Sequence, residues 1–139
     1  MSSEVSAAQY NEFLDGLDLK GIKLVSGSMK LMRETPRDSR LRVETRSEST
    51  HSSSEAGRIK VNHNYIVDVK TSDSEEPALV VTCEFALVYL TKAEMTDEIW
   101  HRFSETNLFL NTWPYMREFV HNMLGRADIL GIIAPVYRV

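Results

Sequence analysis

A chain of 139 residues with 42% hydrophobic and 26% charged side chains is long enough for one core and one domain. Its net charge of −4 disfavours a nucleic-acid binder, which needs a clustered basic surface. No apolar run approaches the roughly 18 residues of a membrane span, MSSEVSAAQYNEF at the N-terminus lacks the regions of a signal peptide, and the single cysteine, Cys83, fits a reducing compartment. The expectation is a cytoplasmic protein that neither inserts into a membrane nor binds nucleic acid.

The first element expected is a short helix over 4–17. Val5, Ala8, Tyr10, Phe13, Leu14 and Leu17 recur there at helical spacing, and Asp15-Gly16 breaks the pattern. A helix this short is marginal alone in water, so it must dock on the rest of the chain. From Lys20 to Leu90 the period changes to two. The segment 22–33 loses its alternation around Ser26-Gly27-Ser28, and Gly27 suggests a bulge or bend. Pro36 and Asp38 mark a turn. In 40–48, Leu41, Val43 and Thr45 face one way and Arg42, Glu44, Arg46 and Glu48 the other, as in a half-buried antiparallel strand. Arg37, Arg40, Arg42 and Arg46 are diluted by Asp38 and Glu44, so they read as a solvated face. STHSSSEAG (49–57) reads as a polar loop.

The next strand, 58–71, puts Ile59, Val61, His63, Tyr65, Val67 and Val69 on one face, and SDSEEP (72–77) turns the chain. The strand 78–91 is apolar on both sides. Leu79, Val81, Cys83, Phe85, Leu87 and Tyr89 share one face; Val80, Thr82, Glu84, Ala86, Val88 and Leu90 share the other. Such a strand has both sides covered, one by helices and one by a second subunit. Thr96-Asp97-Glu98 caps a short helix to about Phe103, and 104–111 is a joint. A longer helix follows to about Gly125, with a stripe of Thr112, Met116, Phe119, Val120, Met123 and Leu124. Pro114 falls near its first turn, where a missing N–H costs nothing. Gly125 reads as the residue that ends it. The expected class is α+β: a four-stranded antiparallel meander with helices on one face.

No constellation of catalytic residues emerges. The histidines His51, His63, His101 and His121 lack metal-ligand spacing, and there is no Gly-rich phosphate cradle or nucleophile elbow. Cys83 sits in an apolar context, unlike a reactive thiol. The reading is a non-enzyme without metal or cofactor. What remains is apolar surface. Trp100, Phe103, Leu108, Phe109, Leu110, Trp113 and Tyr115 crowd one helix-joint-helix segment. One reading spends them all on core packing and self-association, as in a non-catalytic oligomeric adaptor without general chaperone activity. The other has part of them line a groove for extended apolar polypeptide, with Met29, Met32, Met95, Met116 and Met123 as adaptable neighbours.

W-PYMRE-FVHNMLGR, with IIAPV after it, resembles the helix and its exit in the SecB protein-export chaperones; the matching residues are Trp113 to Glu118, Arg126, and Ile133 to Val136. Thr82-Cys83-Glu84 resembles that family's Leu-Cys-Glu in the fourth strand, and the likeness extends over about 20–136. It implies one SecB-like domain over 1–139: N-terminal helix 1–19, sheet 20–91, helices 95–126, extended tail 127–139. It implies a dimer of dimers that holds unfolded polypeptides without ATP, either preproteins for the SecA motor or an antitoxin as dedicated client. Trp100, Phe103, Leu108, Phe109 and Tyr115 are the expected client-binding residues. Glu84 is the expected partner-docking residue, and Val80, Thr82, Trp113 and Arg117 the expected oligomer contacts. Departures from the family bear on the partner: the helix after the APV run is absent, and Gly21 and Val25 stand where the family's first strand is acidic.

Overall fold

The computed structural model describes residues 5–35, 40–54 and 57–129. Its elements run α1 (Ala7–Asp15), β1 (Leu17–Leu31), β2 (Leu41–Ser54), β3 (Arg58–Thr71), β4 (Leu79–Thr91), α2 (Asp97–Glu105) and α3 (Asn107–Arg126). The first two helices begin for a local reason. Ser6 caps α1 reciprocally: its hydroxyl accepts from the Gln9 N–H while the Gln9 side chain accepts from the Ser6 N–H. Thr96 caps α2 by accepting from the Ile99 N–H, with Asp97 and Glu98 at the positive end of the helix dipole. The docking expected of α1 is supplied by Tyr10 and Phe13, both buried. The Tyr10 hydroxyl donates to Asn107 Oδ1 at 2.7 Å, and the Arg102 guanidinium lies 4.4 Å from the Tyr10 ring centre.

The sheet is four-stranded and antiparallel throughout, with spatial order β1-β4-β3-β2. The expected meander therefore holds only for β2, β3 and β4. β1 and β2 are consecutive in sequence yet occupy opposite edges. The reason is burial: a full meander would have left β4, the most apolar strand, at an edge. The observed order gives β4 two neighbours and puts the more polar β1 and β2 outside.

One face of this sheet is the core. The odd-numbered residues of β3 and β4, from Ile59 to Val69 and from Leu79 to Tyr89, are buried, as alternation predicts. α3 rests on β4 and β3 and buries Leu108, Thr112, Met116, Val120 and Leu124 there. The even-numbered residues of β4 form the half-buried centre of an open face.

Several boundaries differ from the sequence expectation. β2 continues through Ser54, paired residue for residue with β3, so 49–54 is strand and not loop. Continuous backbone pairing with β3 outweighs serine's weak β propensity. The bulges of β1 lie between Leu19 and Gly21 and between Leu24 and Ser26. Gly27 instead lets α3 approach closely: a Cβ there would collide with the Phe119 ring. The expected joint over 104–111 shrinks to Thr106 (φ −129°, ψ −82°), because α3 already starts at Asn107. Pro114 is consequently inside α3, where it cannot donate to the Leu110 carbonyl. Both residues are exposed, which leaves that carbonyl on the solvent side. α3 ends past Gly125, and Asp128 takes the left-handed conformation (φ 59°) that Asp tolerates better than most residues. The expectations at Pro36, Arg37 and Asp38, the extended tail after Ile129 and the IIAPV match lie outside the described residues. Among the described residues no helix is long and apolar enough to cross a membrane.

Candidate functional site

The aromatic segment expected to form the site is divided by the fold. Phe103 and Leu108 are 1% and 0% exposed, packed in the core with the Phe103 ring 5.4 Å from Tyr89. Side chains so enclosed offer no surface to a ligand. Trp100 and Phe109 are half-buried on the β2–β3 flank of the helices. The Trp100 ring lies 4.2 Å from His51, and Phe109 lies edge-on to His63 at 4.8 Å. Trp113 is half-buried against Tyr65 and Phe109, and Arg117 is half-buried one turn along α3. Of the five residues expected to touch a client, Tyr115 alone is well exposed, at 48%. Met95 and Met116 are likewise core, whereas Met32 is exposed. Val80, Thr82 and Glu84 lie half-buried on the open face, on the other side of the sheet from α3. Glu84 pairs across the strands with Ser26 and Asn64.

Apolar surface gathers elsewhere, along β1. Among the described residues this strand pairs with β4 on one side and with no strand on the other. Leu19, Leu24, Val25, Leu31 and Met32 are each at least 37% exposed. Two depressions lie between β1 and the helices. One, of about 230 Å³, is walled by Ile22, Leu24, Phe85, Tyr115 and Phe119, with Glu118 and Asn122 at its lip. The other, of about 270 Å³, lies between Leu17 and Leu19 on one side and Tyr89, Phe103 and Leu110 on the other, with Asn107 and Asn111 at its lip. The second has a fixed polar wall: Asn111 donates to the Tyr89 hydroxyl at 2.7 Å. Burial pushes the Tyr89 hydroxyl up to about 12, so it stays protonated. The rim thus presents two apolar cups edged by amides beside a row of backbone N–H and C=O groups. An extended chain can add to such an edge while its side chains drop into the cups. The sequence carried this signal in Leu19, Ile22, Leu24, Met29 and Leu31, but their exposure depends on β1 being an edge.

Beneath the helices lies a buried polar lock. Thr112 Oγ1 donates to the Leu108 carbonyl and meets His63 Nδ1 at 2.9 Å and the Tyr65 hydroxyl at 2.6 Å. The assignment that satisfies all three has His63 and Tyr65 donating to Thr112, which leaves His63 Nε2 as a bare lone pair. That atom has no partner among the described residues. Burial pushes the His63 imidazole down to about 4, so it is neutral. The same burial pushes the Cys83 thiol up to about 12, consistent with packing. Among the described residues no group of three or more His, Cys, Asp or Glu side chains could hold a metal ion.

Comparison with protein-family models finds no match, and comparison with curated proteins finds none either. Among solved structures, the chain is similar to the Mycobacterium tuberculosis Rv1957 SecB-like chaperone in complex with a ChAD peptide from the Rv1956 HigA1 antitoxin. The TM-score is 0.80 at 16% sequence identity, over 94% of this chain and 98% of that one. The four-stranded antiparallel sheet with helices packed on one face is therefore the SecB-like fold.

Proposed function

We propose that this protein is a holdase chaperone of the cytoplasm, one that keeps apolar stretches of unfolded polypeptide extended along the β1 rim without nucleotide. The observation that carries the reading is the row of exposed apolar side chains on a strand edge that no other described strand covers, next to two amide-lipped cups. Burial in such cups gives about 25 cal/mol per Å² of apolar surface, and backbone pairing adds affinity that ignores sequence. Tyr115, Leu24 and Phe119 form the nearest client contacts. Trp100 and Phe109 are a second, shallower surface on the opposite flank, and Phe103 backs the second cup.

A dedicated client such as an antitoxin is favoured over general preproteins. The structural neighbour was solved with an antitoxin peptide, and Glu84 is alone in keeping the acidic pattern that docking to SecA calls for. Assembly as a homotetramer is part of the proposal, with Val80, Thr82, Trp113 and Arg117 as contacts. The test is aggregation of a chemically unfolded client at stoichiometric ratio with no nucleotide present. Suppression by the wild type, weakened in the double variant Leu24→Ser/Tyr115→Ala, is the expected result; aggregation curves unchanged by the wild type would sink the idea.

A further inference from the structure

The strand register divides the open face of the sheet into two unlike halves. Toward the Leu31 end of β1, ion pairs dominate: Arg42 meets Glu44 and Glu75, Lys70 meets Glu44, and Arg46 meets Asp68, with Lys30, beside Val80, a cation outside them among the described residues. Toward the Leu17 end the face is different. Its floor is the half-buried column Ala86, Val88 and Leu90. Across the strands, Lys23 flanks Ala86, Lys60 flanks Val88 and Arg58 flanks Leu90. All three cations are exposed, and none has an ion-pair partner among the described residues. The acid of these rows, Asp18, is held by Lys20 at 2.7 Å. On β2 the rows continue as Thr50, Ser52 and Ser54.

We propose that this basic-rimmed apolar half-face docks an acidic segment of a partner protein, one in which Asp or Glu alternates with aliphatic residues. Charge complementarity selects the occupant. Among the described residues these three cations have no ion-pair partner and favour an anionic occupant; the acids Glu84 and Glu48 stand in the next row and bound the patch on that side, and the aliphatic column favours side chains over a phosphodiester backbone. A second copy of this chain stacked on the same patch about a two-fold axis would bring like charges together. The surface lies on the opposite face of the sheet from Tyr115 and α3, so it can be filled while the β1 rim holds a client.

The test uses the full chain and a fluorescently labelled peptide alternating Glu with Val and Leu. A counterpart with Lys for Glu, an uncharged apolar peptide and a single-stranded oligonucleotide serve as comparisons. Anisotropy should report binding of the acidic peptide at least about tenfold tighter than that of the Lys counterpart, weakening as salt rises. The double variant Arg58→Glu/Lys60→Glu should abolish that preference, and the gentler Arg58→Gln/Lys60→Gln should reduce it. Both should leave binding of the uncharged peptide unchanged, which separates this site from the client rim. Equal binding of both charged peptides, or an acidic-peptide affinity indifferent to the Gln variant, overturns the proposal. Capture of the oligonucleotide in place of the acidic peptide overturns it as well.

Discussion

The two edge strands of the sheet have almost the same length and opposite chemistry. β2, Leu41–Ser54, blunts its edge with charged residues in its first half and a serine-rich run in its second. β1, Leu17–Leu31, leaves Leu19, Leu24, Val25 and Leu31 exposed on its edge. The helices are attached differently above each. On the β2–β3 side α3 is tied by Thr112 to His63 and Tyr65. On the β1 side Phe119 seats over Gly27, with no hydrogen bond needed. An exposed apolar edge invites aggregation, and proteins ordinarily suppress it. One edge is suppressed and the other is not, in one sheet, and the proposed client rim rests on that contrast.

The largest expected effect comes from breaking the polar tie with acid. His63 has a folded-state value of about 4 against 6.5 in the unfolded chain. The neutral ring's contribution is therefore complete above pH 6.5 and is lost as pH falls toward 4, a difference of up to roughly 3 kcal/mol. Urea denaturation at several pH values should show the stability gap between wild type and His63→Phe narrowing across that window; a constant gap would mean His63 is not the titrating group. Filling the glycine seat is next: Gly27→Val should push Phe119 off β1 at a cost of about 2 kcal/mol, seen as a lower urea midpoint.

The edges themselves differ by less energy but more function. Leu24→Lys should cut affinity for an uncharged apolar peptide about tenfold while stability stays within about 0.5 kcal/mol. The matching change on the other edge, Thr45→Lys, should alter neither. Equal losses from both would erase the distinction between the edges. The smallest effect is expected of Arg46→Ala, which removes an exposed ion pair with Asp68 and should cost no more than about 0.5 kcal/mol by thermal unfolding.

Much of this architecture was legible in the residues. The alternation in 58–71 and 79–91 named the core face of β3 and β4 correctly because a strand's side chains have a fixed period of two. Thr96 marked the start of α2 because a hydroxyl there satisfies a free backbone donor. The stripe from Thr112 to Leu124 marked the buried side of α3. The candidate site was legible only in part. Tyr115 is exposed, as a surface residue must be; Phe103 and Leu108 are buried, because a crowd of apolar residues does not say which of them the sheet will swallow. Leu24 and Phe119 were missed as a wall because they are distant in sequence and meet across β1 and α3.

The sequence alone determined the order and class of the elements, though not all their bounds, and the buried side of the central strands and α3. These follow from local periodicity, capping chemistry and the apolar content of each strand. Tertiary structure decided which strand lies beside which, that Pro114 sits within a helix, and that β1 rather than the aromatic joint carries the exposed apolar rim. Neighbours in a sheet are chosen by total burial and backbone pairing over the whole chain, and no short window of residues contains that sum.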